Sequence, residues 1–186
     1  MIRYAVFIAI FLSTFTAFAQ QKTEPTTPIV PNDSVKQEWI DRYLSVAYPL
    51  SKIVITSRYG YRRDPFTGKR SLHGGLDLSA KVGEPTYAML AGVVIKVGTD
   101  ARSGNFVTLR HGSFTVSYCH LSRSLVTVGT KVRPGDTIAL AGNTGRSTGS
   151  HLHLTVKYNG SLINPQILLD FISKTKSNVI NTLKNS

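Results

Sequence analysis

Residues 149–158 read Gly-Ser-His-Leu-His-Leu-Thr-Val-Lys-Tyr and alternate between two kinds of side chain. Successive side chains of a β-strand point to opposite faces, so every second residue shares a face. The predicted core-facing side chains are Leu152, Leu154, Val156 and Tyr158. The opposite face collects His151, His153, Thr155 and Lys157. Two imidazoles therefore lie side by side on a predicted strand, a spacing that suits one metal ion or bound water; solvated surface histidines are the alternative.

The first nineteen residues have the pattern of a secretory signal peptide. Arg3 supplies a positive start, residues 5–12 form an unbroken apolar run, and residues 17–19 (Ala-Phe-Ala) form a cleavage site before Gln20. We expect cleavage and export to the periplasm, the cell envelope or the exterior, with an uncleaved anchor as the alternative. Because Gln20 is not a cysteine, no lipoprotein anchor is expected, and no later apolar run approaches the length of a membrane-spanning helix.

Composition divides the rest of the chain at changes in pattern. Three prolines among polar residues predict a disordered linker, and a helical period that ends at Pro49 predicts a helix through about Tyr48. The length suits one domain with a real core. The predicted segments are a linker over residues 20–32, an N-terminal helical segment over 33–50, a domain over 51–173 and a polar C-terminal tail over 174–186 that frays.

Short β-runs separated by glycine fill the predicted domain. Further strands are predicted at residues 91–97, 105–111, 114–120 and 136–141. In the first of these, one face carries Ala91, Val93, Ile95 and Val97. Such spacing predicts a mainly β fold, an antiparallel sandwich or partly open barrel of short strands with flanking helices. Asn164 and Pro165 fit a cap and first position of a closing helix through about Ile172.

The single cysteine, Cys119, excludes an intramolecular disulfide. We expect a buried small hydrophobic side chain there, and its place beside His120 makes a catalytic thiol the alternative.

The charge balance favours anionic partners. The chain has 22 lysines and arginines against 10 acidic residues, for a formal net charge of +12. In an exported protein this favours anionic wall polymers or membranes, and nucleic acid is not expected because aromatic and basic residues do not interleave. Five basic residues precede His73. They form either a solvated surface or a patch that steers acidic substrate, and they are Arg58, Arg62, Arg63, Lys69 and Arg70.

Four of the five histidines fall into three clusters on strand-like segments. His73 and Asp77 are four residues apart across two glycines, and in extended chain an even spacing returns both to one face. His120 shares a face with Phe114, Val116 and Tyr118. A catalytic zinc needs three protein ligands and an open fourth position. The candidates exceed this number by two, which suits histidines that contact water and substrate, and spacing does not say which of them bind metal.

Several motifs occur together in one order along the chain. They are Ser57-Arg58-Tyr59-Gly60-Tyr61-Arg62, Asp64-Pro65, His73-x-x-x-Asp77, Arg110-His111-Gly112, Tyr118-x-His120-Leu121-Ser122, Gly142-Asn143-Thr144-Gly145 and Gly149-Ser150-His151-Leu152-His153. On these motifs the chain from about Ser57 to Pro165 resembles the lysostaphin/LytM family of zinc metallopeptidases, which cut cell-wall peptides. The resemblance covers most of the predicted domain.

The resemblance implies roles that spacing alone does not assign. It implies one zinc per chain, held by His73, Asp77 and His153, with His120 and His151 as catalytic residues on its open side. His111, in a turn, is expected to be structural. The residues expected to contact substrate are Arg58, Asn143, Thr144 and Ser150.

The implied activity is that of an exported zinc endopeptidase that hydrolyses peptidoglycan stem peptides or cross-bridges. The main alternative is a non-catalytic protein of the same family that binds the wall or activates amidases. The intact set of five site residues favours the enzyme. A zinc protease for ordinary proteins is a third hypothesis. The chain departs from the family pattern at two positions. Ser150 stands where the family often has proline, and Leu154 stands where it often has an aromatic residue. These departures affect loop shape and substrate fit.

Overall fold

Short strands and two terminal helices make up the described part of the chain, residues 33–184 of a computed structural model. The helices are α1 (Asp33–Leu44) and α2 (Gln166–Lys184). The strands are β1 (Ile55–Ser57), β2 (Gly60–Arg63), β3 (Arg70–His73), β4 (Leu76–Ser79), β5 (Pro85–Tyr87), β6 (Gly92–Asp100), β7 (Gly104–His111), β8 (Phe114–Leu121), β9 (Arg123–Ser124), β10 (Lys131–Val132), β11 (Thr137–Leu140), β12 (His151–Tyr158) and β13 (Ser161–Ile163). The predicted signal peptide and linker lie outside the described residues.

The alternating histidine segment forms strand β12, inside the main sheet. β12 pairs antiparallel with β8 along one edge, and with β4 and then β13 along the other. Leu152, Leu154 and Val156 are completely buried, as the alternation predicts. Tyr158 is 45% exposed and packs on Phe114, because the strand there has reached the rim of the core.

The strands form one large sheet and two small ones. The main sheet has eight strands in the order β1-β4-β12-β8-β7-β6-β10, with β13 beside β12. A three-stranded sheet has the order β5-β11-β9, and β2 and β3 form a separate hairpin. The strand pairs are antiparallel, which confirms the predicted mainly β, antiparallel fold with flanking helices. A single hydrophobic core joins residues of β4, β6, β7, β8, β11, β12 and α2.

A bulge in β6 changes which apolar side chains of that strand are buried. The pairing with β7 shifts register between Val94 and Lys96. Val94 is therefore the fully buried residue, whereas Ile95 is exposed. Simple alternation over residues 91–97 misses this because one extra residue reverses the faces beyond it.

Helix α1 ends earlier than the sequence predicts. It stops at Leu44 rather than near Tyr48, and the Ser45 hydroxyl donates to the Arg42 carbonyl at 2.7 Å. The following residues run extended along the domain, where the backbone of Ala47 hydrogen-bonds to Met89. Tertiary hydrogen bonds thus replace the last predicted turn of helix.

Helix α2 begins as predicted and continues further. The Asn164 side chain accepts the Gln166 N–H at 3.0 Å, which is the expected cap. The helix then continues to Lys184 instead of ending near Ile172. Thr175 and Val179 are buried on its inner face, and the Lys176 ammonium lies 3.7 Å from the Tyr43 ring centroid of α1. Packing against the rest of the fold thus orders a segment whose composition alone suggested fraying.

Among the described residues, no helix combines the length and apolar character needed to cross a bilayer.

We expect Val179→Ala to lower the free energy of unfolding by about 1–3 kcal/mol, because truncation leaves a cavity beside a fully buried position. Urea unfolding measures the change. Asn178→Ala, at the exposed neighbouring position, is the matched control and should change stability by less than about 0.5 kcal/mol. Equal effects of the two substitutions would show that the end of α2 does not pack on the domain.

Candidate metal centre

Strand pairing brings three ionisable side chains together at one end of the main sheet. His153 of β12 is the direct cross-strand partner of Asp77 in β4. His73 ends β3, and Gly74 and Gly75 carry the chain from there into β4. A side chain at Gly75 would overlap the His153 ring, so glycine is required for this approach.

The donor atoms of these three residues face one another. His73 Nε2 lies 3.2 Å from Asp77 Oδ1 and 3.2 Å from His153 Nδ1. His153 Nδ1 lies 2.7 Å from the same carboxylate oxygen. In tetrahedral zinc sites the donors lie about 2.0–2.2 Å from the ion, which puts them about 3.3–3.6 Å from one another. The two 3.2 Å separations are close to this spacing, and the 2.7 Å pair would have to widen by about 0.6 Å to hold an ion.

Hydrogen bonds leave the facing nitrogens of both imidazoles free. His73 Nδ1 donates to the Arg58 carbonyl at 2.8 Å, and this bond fixes the His73 tautomer because a carbonyl can only accept. His153 Nε2 lies 3.1 Å from Thr155 Oγ1, which is placed to accept its N–H in the tautomer that presents the Nδ1 lone pair to the centre. Two lone pairs and a carboxylate oxygen at these distances repel one another unless protons or a cation lie between them. The residues present therefore fit a divalent cation.

Asp77 keeps its negative charge at this position. Burial alone would raise its pKa, but protons on the facing nitrogens of His153 and His73 outweigh burial and hold the pKa of Asp77 well below its usual range, as a cation between these atoms would. Arg62 Nη2 lies 3.9 Å from the second carboxylate oxygen. An ionised carboxylate partly neutralises a bound dication, as a mixed nitrogen and oxygen site requires.

His120 reaches the same centre through a break in strand β8. Alternation along β8 puts His120 on the face of Val116 and Tyr118, which are both completely buried in the core. The pairing of β7 with β8 shifts register near this point, and His120 has a φ of +61°. Bulges with a left-handed residue redirect side chains. His120 thereby leaves the core face and lines the cleft with Cys119.

The surroundings of His120 fix its protonation. Burial lowers the pKa of His120 to about 4, so the imidazole is neutral at pH 7. Its Nδ1 donates to the Thr144 carbonyl at 2.8 Å, which leaves Nε2 with a free lone pair.

His151 lies beside His120 and has a similar arrangement. Their ring centroids are 4.7 Å apart. His151 Nδ1 lies 2.7 Å from the Gly149 carbonyl and 3.2 Å from Ser147 Oγ, while Nε2 lies 3.6 Å from Asp77 Oδ1. His120, His151 and His153 are also close enough to hold a metal, so His153 is common to both groups. Only the group with His73 contains a carboxylate.

The five residues open into a cleft of about 730 Å³. Arg62, Arg102 and Arg146 line it, together with Phe66 and Leu72. Asp64 and Asp77 line it as well, so three arginines against two aspartates leave a small excess of positive charge, which suits an acidic ligand. Of these, sequence reasoning noted Arg62 within a basic run and a family motif, and it gave Arg146 no role. It gave no role to Thr155, although its position two residues after His153 on one strand face was a usable signal.

The four residues expected to contact substrate lie elsewhere than in the cleft lining. Arg58 supplies a carbonyl to His73, and its guanidinium lies near Gln166. Thr144 supplies a carbonyl to His120. The Ser150 hydroxyl donates to the Ala80 carbonyl at 2.6 Å. Asn143 is exposed in the same loop. Substrate contact by these residues stays a prediction.

His111 and Cys119, the two other residues considered in the sequence, are both buried. His111 is buried, its Nδ1 donates to the Ala91 carbonyl at 3.0 Å, and burial lowers its pKa. His111 does not line the cleft described above. Burial raises the pKa of the Cys119 thiol to about 12. That thiol is therefore protonated at neutral pH, which disfavours the alternative of a catalytic thiolate.

Comparison with known proteins places these residues in a family. The sequence profile described as Peptidase family M23 matches residues 71–165. The chain is 40% identical over 120 residues to the peptidoglycan DD-endopeptidase ShyA of Vibrio cholerae, a match over 63% of this chain and 28% of ShyA. The curated relatives that it matches are much longer, since it spans 22% to 32% of three of them.

Solved structures agree with this assignment. A zinc-containing peptidase from Vibrio cholerae is 37% identical and superposes with a TM-score of 0.60 over 64% of this chain and 39% of its own. The catalytic domain of lysostaphin from Staphylococcus simulans is 28% identical, with a TM-score of 0.59 over 63% of this chain and 92% of its own. The resemblance predicted from the motifs is thus confirmed, and the chain belongs to peptidase family M23, a family of zinc metallopeptidases.

Proposed function

We propose that this protein is an exported zinc-dependent endopeptidase that hydrolyses peptide bonds in peptidoglycan stem peptides or cross-bridges. The observation that carries the proposal is the convergence of His73 Nε2, Asp77 Oδ1 and His153 Nδ1 within 2.7–3.2 Å of one another. Relatives named as peptidoglycan DD-endopeptidases support the substrate class. The signal-peptide pattern at residues 1–19 supports export.

His73, Asp77 and His153 would hold the zinc. When bound, zinc polarises the scissile carbonyl and brings the pKa of water near 7. Arg58 and Thr155 would keep the two imidazoles in the ligating tautomer, through the hydrogen bonds described above. The metal set uses three side chains, which leaves room for water and substrate.

His120 and His151 would handle protons on the open side of this set. Each Nδ1–H points at a backbone carbonyl, so each Nε2 is directed elsewhere and is free to accept a proton. A neutral imidazole can take a proton from the attacking water, and the resulting imidazolium can stabilise the oxyanion and return the proton to the leaving amine. Both histidines are suited to these steps.

The cleft supports a peptide substrate with acidic groups. Arg62 and Arg102 give its walls positive charge, whereas the charge of Arg146 is paired with Asp64. Phe66 and Leu72 offer apolar contact. Peptidoglycan stem peptides carry free carboxylates, which such walls would attract. The anionic envelope is also where an exported basic protein would be retained.

The competing function is a non-catalytic protein that binds the wall or activates an amidase. Such a protein would not need the three ligands and both additional histidines with their tautomers already set. The two functions differ in whether covalent bonds in the wall are broken, so product analysis decides between them.

Site variants are expected to separate metal binding from proton transfer. His73→Ala, Asp77→Ala and His153→Ala should lose zinc and activity together. His120→Ala and His151→Ala should keep about one zinc per chain while cleavage falls by about 10²–10⁴-fold, the usual contribution of general acid–base catalysis. Elemental analysis and muropeptide release measure the two properties. Full activity of His120→Ala, or loss of zinc from it, would contradict the division of roles.

Thr155→Val should weaken zinc binding by about 10- to 100-fold, because the substitution removes the oxygen that accepts the His153 N–H. Competition with a chelator of known affinity measures the change. The matched control is Thr148→Val, which alters an exposed cleft threonine that is not a hydrogen-bond partner of His73 or His153 in the described residues. Unchanged affinity in Thr155→Val would mean that this bond does not set the tautomer.

Purified peptidoglycan should release peptide products on incubation with the protein, and a chelator should stop release until zinc is restored. Mass spectrometry of the products identifies the bond that is cut. Casein, incubated in parallel, should stay intact. Tight wall binding without any new product would instead favour the non-catalytic function, and degradation of casein would favour a protease for ordinary proteins.

A further inference from the structure

We infer that Arg146, held between Asp64 and Phe66, positions the turn that orients His151. This inference rests on the proposed function, because it assigns a supporting role around a histidine proposed to transfer protons. Arg146 and Asp64 are positioning residues in this account, since they act through the turn and not on the reacting atoms.

The contact joins two separate segments of the cleft wall. Arg146 Nη2 lies 2.7 Å from Asp64 Oδ1, and the Arg146 guanidinium carbon lies 4.3 Å from the centroid of the Phe66 ring. Asp64 and Phe66 belong to the turn between β2 and β3, whereas Arg146 lies in the loop before β12. We call this contact the Asp64–Arg146 bridge. It ties the hairpin that ends at His73 to the loop that leads to His151.

The Asp64 end of the bridge is fixed by its own turn. Asp64 Oδ1 also accepts the backbone N–H groups of Phe66 and Thr67, each at 2.9 Å. The hydrogen bond from Arg146, followed by that from Thr67, holds the pKa of Asp64 well below its usual range. The carboxylate is therefore ionised in any ordinary assay buffer. Exposed single ion pairs are usually too mobile to position anything, but here three donors and a stacked ring fix one geometry.

The turn that follows Arg146 provides both partners of the His151 Nδ1. Those partners are the Gly149 carbonyl and Ser147 Oγ. The Ser147 hydroxyl donates to the Gly149 carbonyl at 2.7 Å, so the turn is internally bonded. At its far end the Ser150 hydroxyl is attached to Ala80. At its near end the Arg146 N–H donates to the Arg102 carbonyl at 3.1 Å, and the Arg146 side chain adds the bridge. Release of the bridge would leave that end of the turn held by the single backbone bond.

His120 provides an internal contrast. Its acceptor is the Thr144 carbonyl, and the Thr144 hydroxyl both donates to the Leu121 carbonyl at 2.8 Å and accepts the Asn105 N–H at 2.9 Å. These bonds attach Thr144 to β7 and β8 without the bridge. Loss of the bridge should thus disturb His151 and leave His120 unchanged. A general loosening of the cleft would disturb both histidines.

Nuclear magnetic resonance of the zinc-loaded protein, with ¹⁵N-labelled histidine, tests the inference. The imidazole nitrogen shifts report which ring nitrogen carries the proton. In Arg146→Gln we expect the His151 signals to move toward a mixture of tautomers while those of His120, His73 and His153 keep their wild-type shifts. Unchanged His151 signals would overturn the inference.

The matched control is Arg102→Gln. Arg102 lines the same cleft and forms no ion pair within residues 33–184, so its substitution removes the same charge without releasing the turn. The wild-type His151 signals should persist in this variant. Phe66→Leu, which removes the stacked ring and keeps the ion pair, should give a smaller shift in the same direction as Arg146→Gln. His151 signals that move equally in Arg102→Gln would assign the effect to charge alone and overturn the inference.

Kinetics on wall peptides supply the second readout. Arg146→Gln should lower kcat by about 10- to 100-fold, as expected for a misplaced proton-transfer group, with KM nearly unchanged. A higher KM with normal kcat would mean that Arg146 binds substrate directly, and would overturn the positioning role. If the wild-type protein cleaves no wall peptide, the proposed function fails, whereas the tautomer measurement still decides the role of the bridge.

Discussion

The convergence of two imidazole lone pairs and one carboxylate oxygen is the constraint on which the rest of the site depends. Held at 2.7–3.2 Å, these atoms repel one another unless positive charge lies between them. The fold maintains this arrangement through backbone pairing of β4 with β12 and through the glycines that bring His73 beside them. Packing elsewhere thus supports a local arrangement that a cation would stabilise.

Regular and irregular backbone contribute differently to the site. Asp77 and His153 lie on regular strands, where cross-strand pairing alone makes them neighbours. His120 reaches the site only because β8 breaks its alternation, with a residue of positive φ that is not glycine. The surrounding hydrogen bonds hold that conformation in place, including one from the His120 N–H to the Ser103 carbonyl at 2.7 Å. Strain of this kind is common at functional sites.

Sequence reasoning predicted the elements whose pattern is local. The period of two in β12 predicted the buried face and the histidine face, and the Asn164 cap predicted the start of α2. It misplaced features that depend on tertiary contacts. The bulges near Ile95 in β6 and near His120 in β8 reverse which side chains of the strand face the core. No pattern of residues in the sequence predicted either bulge. The full length of α2 depends on burial of Val179, and the end of α1 depends on a backbone bond to Met89.

The sequence predicted which residues form the site, but it did not predict their separate roles or most of the hydrogen bonds that support them. Histidines at even spacing on strands indicated a metal or catalytic centre, and only the family resemblance selected His153 over His151. The supporting bonds to the Arg58 and Thr144 carbonyls were not predictable, because backbone carbonyls leave no mark in a sequence, whereas the position of Thr155 on the histidine face was a signal that went unused. Zinc crystals test the central claim most directly. An anomalous-scattering peak is expected about 2.0–2.2 Å from His73 Nε2, Asp77 Oδ1 and His153 Nδ1; a peak among His120, His151 and His153, or none, would contradict it.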